Sequence, residues 1–134
     1  MDFTLRILKA LADKNRLRVV LALEKAGEMC ACQITELLQV RGATVSRHCN
    51  LLVNAGLLKS RKEGRWMFYS VDPQVYTRHR ELFDWLHQQV ASCPDLRADQ
   101  EKLADILARE PEDICRQQRG ERCCPPNKKE GADA

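Results

Sequence analysis

The sequence predicts a mainly α-helical fold that carries one small β-hairpin, and three observations lead to that prediction. Apolar residues recur at helical spacing along most of the chain before residue 109. Two strand-like runs, "LLKSRK" and "RWMFYSV", are joined by the turn signal Glu63-Gly64. The chain has 134 residues, only 5% of them aromatic, so we expect a modest core that a second copy completes.

Before the hairpin, the apolar pattern predicts four helices. The first presents one apolar face made of Phe3, Ile7, Leu8 and Leu11. Asp13 is a suitable N-cap for a second helix, which Gly27 ends. A third, short helix runs from about residue 32 to residue 38, and a fourth covers residues 43–55.

After the hairpin, Asp72-Pro73 begins a helix that Cys93-Pro94 interrupts, and a last short helix surrounds Ile106. From Arg109 onward Ile114 is almost the only large apolar residue, which predicts a mobile tail. We therefore divide the chain into residues 1–92, a DNA-binding and dimerisation domain; residues 93–108, a helical extension; and residues 109–134, a flexible tail that contains cysteines.

Charge and targeting signals narrow the class of protein. The net charge is only +3, but residues 41–65 hold one acidic residue, Glu63, against six basic ones: Arg41, Arg47, Lys59, Arg61, Lys62 and Arg65. Such a local basic surface is typical of nucleic-acid binding. There is no signal-peptide pattern and no apolar run of about 20 residues, so we expect a cytoplasmic protein without a membrane partner.

A short helix, a tight turn, a second helix and a hairpin together make a winged helix-turn-helix. An α-helix fits the DNA major groove, and a basic hairpin tip can follow a phosphate backbone. The alternative is that these are ordinary solvated charges, but their joint occurrence favours DNA binding. We predict that the DNA contacts come from Arg41, Thr44, Ser46, Arg47, His48, Asn50, Arg61, Lys62 and Arg65.

Five segments between about Phe3 and Leu86 resemble the ArsR/SmtB family of bacterial metal-sensing repressors: "LADKNRLRVVLAL", "GEMCACQITELL", "TVSRHCNLLVNAGLL", "KSRKEGRWMFYSV" and "FDWL". Arsenical-resistance operon repressors are the most similar members. The resemblance implies a homodimer that binds operator DNA when metal-free and releases it with inducer. Its outer helices, here those of Phe3 and Leu82, would form the dimer interface. The sequence departs from the family at Arg41-Gly42-Ala43, which lacks the usual capping serine, and at Cys49, which replaces a leucine and is assigned to the core.

Cys30 and Cys32 are separated by one residue, just before the third helix. Inside an intact helix they would point about 200° apart and could not share an ion. They can cooperate only if the helix begins between them or is distorted, and a helix N-terminus also favours the thiolate form. The alternative is that both are small buried residues.

The resemblance implies that Cys30 and Cys32 hold the inducer, As(III) and also Sb(III). Trivalent arsenic prefers three thiolates, and arsenical repressors often supply the third one turn further along this helix. Here Thr35 and Glu36 stand at that place. The third ligand stays open between Cys123 with Cys124 in the tail, Cys115, and a solvent molecule.

The residues of this chain support other functional hypotheses less well than metalloid sensing. A zinc site would need more than His79 and His87, and cadmium or lead sensors usually have cysteines before position 30. Seven cysteines keep a thiol redox repressor as an alternative. No catalytic constellation is visible, because the adjacent His48 and Cys49 diverge on one helix, so we do not predict an enzyme.

Overall fold

A computed structural model describes residues 2–118 of the chain. In that range eight helices accompany one three-stranded antiparallel sheet. The arrangement is the predicted winged helix-turn-helix, with additional helices after it. None of the helices in this range is long and apolar enough to cross a membrane.

The first two helices follow the capping signals in the sequence. Helix α1 spans Asp2–Leu11 and α2 spans Lys14–Ala26. Asp13 caps α2, because its Oδ1 accepts hydrogen bonds from the backbone N–H groups of Asn15 at 2.9 Å and Arg16 at 3.1 Å. Gly27 ends α2 with a φ of 90°, a conformation that glycine adopts easily.

The helix-turn-helix consists of α3, Ala31–Leu38, and α4, Gly42–Asn54. Gln39, with a φ of 58°, turns the chain between them. A two-residue strand that the sequence did not predict, β1 at Met29–Cys30, leads directly into α3. The start of α3 is therefore anchored on a sheet, and a shift there also acts on the strand.

The wing is a hairpin of β2, Leu58–Glu63, and β3, Trp66–Val71, as predicted. Gly64 at its tip has a φ of 63°. The strand order is β1-β3-β2, so β3 lies between the wing edge and the strand that carries Cys30. Phe68 pairs with Cys30 on one side and with Arg61 on the other.

The region after the wing differs from the single predicted helix. Helix α5 spans Pro73–Arg78 and α6 spans Arg80–Ala91, because His79 has non-helical dihedral angles and ends α5. Large apolar side chains stay exposed on α1 and α6, namely Leu5, Leu8 and Trp85. Trp85 is 55% exposed.

Two further helices, α7 at Pro94–Ala108 and α8 at Pro111–Gln118, close the described part of the chain. Helix α7 is longer than the predicted short helix, and its Asp99 receives two hydrogen bonds from Arg18 of α2, at 2.7 and 3.0 Å. Helix α8 lies within the segment predicted as a flexible tail. It is ordered by packing, since its Ile114 and Cys115 are both completely buried. Residues 119–134, with Cys123 and Cys124, lie outside the described residues.

Candidate functional site

The exposed face of α4 carries most of the side chains that the sequence predicts to contact DNA. Arg41, Ser46, Arg47 and Asn50 are exposed, and Thr44 is half-buried. The opposite face of α4 supplies the core with Val45, Cys49 and Leu52, each 0% exposed. Helix α4 therefore has one apolar and one polar face, as the sequence indicated. The DNA contacts themselves stay predictions.

His48 differs from the other predicted DNA contacts, because only 7% of it is exposed. Its Nδ1 lies 3.4 Å from Nη1 of Arg16 on α2. The same guanidinium donates from Nε to the Ala10 carbonyl at 2.7 Å. His48 therefore sits in a contact that joins α4 to the α1–α2 corner, and a DNA contact by it stays a prediction.

The wing tip presents Lys62 and Arg65 to solvent, whereas Arg61 is engaged within the protein. Arg61 donates to both carboxylate oxygens of Glu28, at 3.0 and 2.8 Å, and pairs with Glu63. Its guanidinium lies over the Phe68 ring, 4.4 Å from the centroid. Hydrogen bonds to Glu28 and Glu63 raise the pKa of Arg61 above its ordinary value, so the side chain stays charged.

Cys30 and Cys32 stand on either side of the point where α3 begins, which is one of the two arrangements that helix geometry allowed for a shared ion. Cys30 is the N-cap residue and the last residue of β1, and Cys32 lies in the first helical turn. Both are buried, 1% and 3% exposed. The Cys30 backbone N–H donates to Oε1 of Gln33 at 2.9 Å, a buried bond that holds the strand-to-helix junction.

Cys115 on α8 is a third cysteine at the start of α3. Cys115 forms a disulfide with Cys32, and their Cα atoms are 5.4 Å apart although 83 residues separate them in the chain. The sequence offered one weak signal for this contact, the apolar pair Ile114-Cys115 in an otherwise polar segment. Cys115 was one of three open choices there, and the structure brings it to Cys32.

Three polar contacts fasten α8 to α3 beside this disulfide. Nε2 of Gln118 donates to the Cys32 carbonyl at 2.8 Å and to Oε1 of Glu36 at 3.2 Å. Nη2 of Arg109, just before α8, donates to the other oxygen of Glu36 at 3.3 Å. Glu36, which stands where a third cysteine was looked for in the sequence, therefore accepts from both ends of the α8 segment.

An open groove of about 760 Å³ extends from Cys32 to the start of α4. One wall is α3 with Cys32 and Glu36, and the end of α8 contributes Gln118. The other wall is the N-terminal part of α4, with Arg41 and Ser46. A change at Cys32 thus occurs within the same groove as side chains predicted to contact DNA.

The remaining sulfur and imidazole groups lie elsewhere. Burial raises the pKa of the Cys49 thiol to about 12, which suits a core residue and disfavours a thiolate ligand. The His79 ring lies 5.6 Å from the Phe3 ring, centroid to centroid, with a tilt of 31°, and His87 pairs with Glu24. With Cys32 and Cys115 joined as a disulfide, no three His, Cys, Asp or Glu side chains across residues 2–118 are gathered in a way that could hold a metal ion. The Cys32–Cys115 disulfide has no thiolate to offer in this state.

Comparison with known proteins gives a consistent result. Residues 13–60 match the family described as bacterial regulatory protein, arsR family. The chain is 34% identical over 111 residues to the arsenical resistance operon repressor of Escherichia coli K12, covering 80% of this chain and 86% of that protein. It is 38% identical over 88 residues to a cadmium resistance transcriptional regulatory protein homolog of Staphylococcus aureus, covering 65% and 72%.

A solved structure of similar fold is the homodimeric winged helix-turn-helix DNA-binding domain of a possible ArsR-family transcriptional regulator from Mycobacterium bovis. Its TM-score is 0.57 at 26% identity, covering 66% of this chain and 81% of that one. The structural match therefore extends over about two thirds of this chain.

Proposed function

The chain belongs to the ArsR family of DNA-binding transcriptional regulators, and from this premise we propose that it is an arsenite-responsive repressor. It binds operator DNA in the metal-free state and leaves the DNA when As(III), or Sb(III), binds Cys30 and Cys32. The observation that carries the proposal is the start of α3 between these two buried cysteines. Thiolate sulfur is the side-chain donor that suits a soft metalloid.

The position of the pair supports a coupling between inducer and DNA. Cys30 ends β1, Cys32 lies in the first turn of α3, and α3 forms the groove wall that faces the start of α4. A ligand that draws the two sulfurs together acts on the strand-to-helix junction. Because α3 and α4 are joined by only a short turn at Gln39, a shift of α3 changes how α4 is presented to DNA.

The proposed DNA-binding form is a homodimer. Leu5 and Leu8 of α1 and Trp85 of α6 are exposed apolar side chains, and burying them between two copies removes that surface from water. A two-fold dimer places two copies of α4 on neighbouring half-sites of an operator. The similarity to a homodimeric domain from Mycobacterium bovis supports this proposal.

The test is fluorescence anisotropy of labelled DNA from the gene's own promoter region, titrated with reduced protein with and without arsenite. We expect arsenite to release the wild type and the matched control Cys93→Ser, whose cysteine lies at the start of α7. The double variant Cys30→Ser/Cys32→Ser should bind DNA but ignore arsenite. A full arsenite response of that double variant would refute the proposal.

Because one relative is a cadmium resistance regulator, the same titration is also carried out with cadmium. Cadmium and arsenite are added separately to the wild type, at matched concentrations. We expect arsenite to release DNA at the lower concentration. Release by cadmium alone would replace the metalloid assignment with a cadmium-sensing one.

A second candidate function is a thiol redox repressor, and the Cys32–Cys115 disulfide favours it. In that case a peroxide oxidises the two thiols to the disulfide and is itself reduced to two molecules of water, or to an alcohol and water. Peroxide would then change DNA binding of the wild type but not of Cys115→Ser. If peroxide acts in this way and arsenite has no effect in the same assay, the redox function replaces the metalloid one.

A further inference from the structure

We propose that Cys115 of α8 supplies the third thiolate of the metalloid site, so that the complete ligand set is Cys30, Cys32 and Cys115. This inference rests on the proposed function and specifies how its site is completed. It distinguishes Cys115 from the two other sources of a third ligand, the tail cysteines and solvent.

The first argument is the placement of Cys115. Its Cα lies 5.4 Å from that of Cys32, and its side chain is completely buried against α3. Two cysteines at this spacing bring their sulfurs within bonding range without backbone movement. When the disulfide is reduced, the same two side chains become a pair of neighbouring thiols, and Cys30 is the buried N-cap of the helix whose first turn holds Cys32.

The second argument is that Glu36 of α3 binds the two ends of the α8 segment. Helix α3 has no cysteine after Cys32, and Glu36, one turn further along, faces α8 instead. Its two carboxylate oxygens accept from Gln118 at 3.2 Å and from Arg109 at 3.3 Å. Arg109 and Glu36 are both partly buried, 32% and 24% exposed at the side chain, so this contact is better shielded from water than a fully exposed surface pair. Helix α3 thus holds the helix that carries the third sulfur instead of carrying that sulfur itself.

The third argument is the contact at the peptide of Cys32. The Gln118 side chain donates to the Cys32 carbonyl at 2.8 Å. One end of α8 therefore binds the backbone of a ligand residue, while Cys115, one turn earlier, meets its side chain. These two contacts fix α8 against the first turn of α3, which limits the freedom of Cys115 before any ion arrives.

The binding reaction balances without a change of oxidation state. Arsenous acid carries three hydroxyl groups on As(III), and each thiol replaces one of them. Three As–O bonds break, three As–S bonds form, and the three thiol protons leave with the hydroxyl groups as water. The disulfide form must first be reduced by a cellular thiol or dithiol, which supplies two electrons and two protons by thiol–disulfide exchange.

Binding through Cys115 ties α8 to the strand-to-helix junction in one covalent unit. The groove beside it contains Gln118 of α8 and Arg41 and Ser46 at the start of α4. A movement of α8 towards the metalloid therefore changes the shape of the groove, whose opposite wall carries side chains predicted to contact DNA. Helix α8, which lies in the segment that the sequence predicted to be a flexible tail, becomes part of the inducer response.

The test counts sulfur ligands by X-ray absorption at the arsenic edge, on the full-length, reduced and arsenite-loaded protein. We expect three sulfurs in the wild type, in the control Cys93→Ser, and in the tail variant Cys123→Ser/Cys124→Ser. In Cys115→Ser we expect two sulfurs and one oxygen. We also expect that variant to need on the order of a hundredfold more arsenite for release from DNA, because one tethered ligand is lost.

The outcomes separate this inference from the proposed function. Three sulfurs in Cys115→Ser, or two sulfurs in the tail variant, would overturn the role of Cys115 while leaving arsenite sensing intact. Failure of the wild type to bind arsenite would overturn both. Because Cys115 is buried, Cys115→Ala is measured alongside as a better-packed substitute, and metal-free DNA binding of both variants confirms that they fold.

Discussion

Arg61 on the wing donates hydrogen bonds to both carboxylate oxygens of Glu28, and Glu28 lies two residues before Cys30. The Arg61 hydrogen bond is the main cause of a Glu28 pKa below its ordinary value. Arg61, Phe68 and Cys30 also occupy one cross-strand row of the sheet. A wing residue that is predicted to contact DNA is therefore tied to the strand that carries a proposed inducer ligand.

Replacing Glu28 by alanine should strengthen operator binding several-fold. The substitution removes a negative charge near the DNA-facing wing and releases Arg61 for a phosphate contact. One additional phosphate contact steepens the dependence of log K on log salt concentration by about 0.9. Anisotropy titrations at several salt concentrations measure both quantities.

The matched control for that variant is Glu101→Ala, which removes the same charge from an exposed position on α7. In an Arg61→Ala background the Glu28 substitution should have no effect on the salt dependence. An equal gain from Glu101→Ala would show that the overall charge, and not the release of Arg61, is responsible.

Arg47→Ala should reduce operator affinity by about 1–3 kcal/mol and relax the preference at one base pair, as expected for an exposed arginine that reads a base edge.

Lys62→Ala should instead weaken binding to all sequences alike and reduce the salt slope by about 1, as a phosphate contact does. Competition with single-base operator variants distinguishes the two. Arg97→Ala on α7 is the control, and an equal loss there would contradict the assignment of Arg47.

Glu36→Ala should loosen α8 without changing the number of sulfur ligands. The substitution removes the carboxylate that accepts from Gln118 and Arg109, so the backbone N–H groups of α8 after Pro111 should exchange faster with deuterated solvent. Arsenite affinity should fall because Cys115 is less well positioned. Unchanged exchange of α8 in Glu36→Ala would mean that packing of Ile114 alone holds this helix.

Cys49 should resist alkylation in the native, reduced protein, whereas the half-buried Cys93 should react. Burial raises the pKa of the Cys49 thiol from the ordinary value of 9.0 to about 12, so the neutral thiol dominates at neutral pH. The stability that depends on this neutral thiol is present below pH 9 and is lost as pH rises towards 12. Mass mapping after iodoacetamide treatment measures the reaction, and native labelling of Cys49 at pH 8 would contradict the prediction.

Local signals were sufficient for much of the fold. Asp13 and Gly27 mark the ends of α2, the turn at Gly64 marks the wing, and the apolar stripe of α4 separates its two faces. The same kind of argument placed the start of α3 between Cys30 and Cys32. Each of these signals depends on residues within one or two turns of each other, where backbone geometry alone limits the choices.

Long-range packing decided the rest. A sequence with one large apolar residue after Arg109 gives no measure of whether that segment has a surface to bury against. In the structure α8 packs against α3, and Ile114 and Cys115 are completely buried. The meeting of Cys32 with Cys115, across 83 residues, follows from that packing. So does the pairing of Arg61 with Glu28, because sheet register, and not spacing along the chain, brings β1 and the wing together. The sequence thus determined the elements and the two-cysteine motif, whereas the tertiary structure decided which distant side chains surround it.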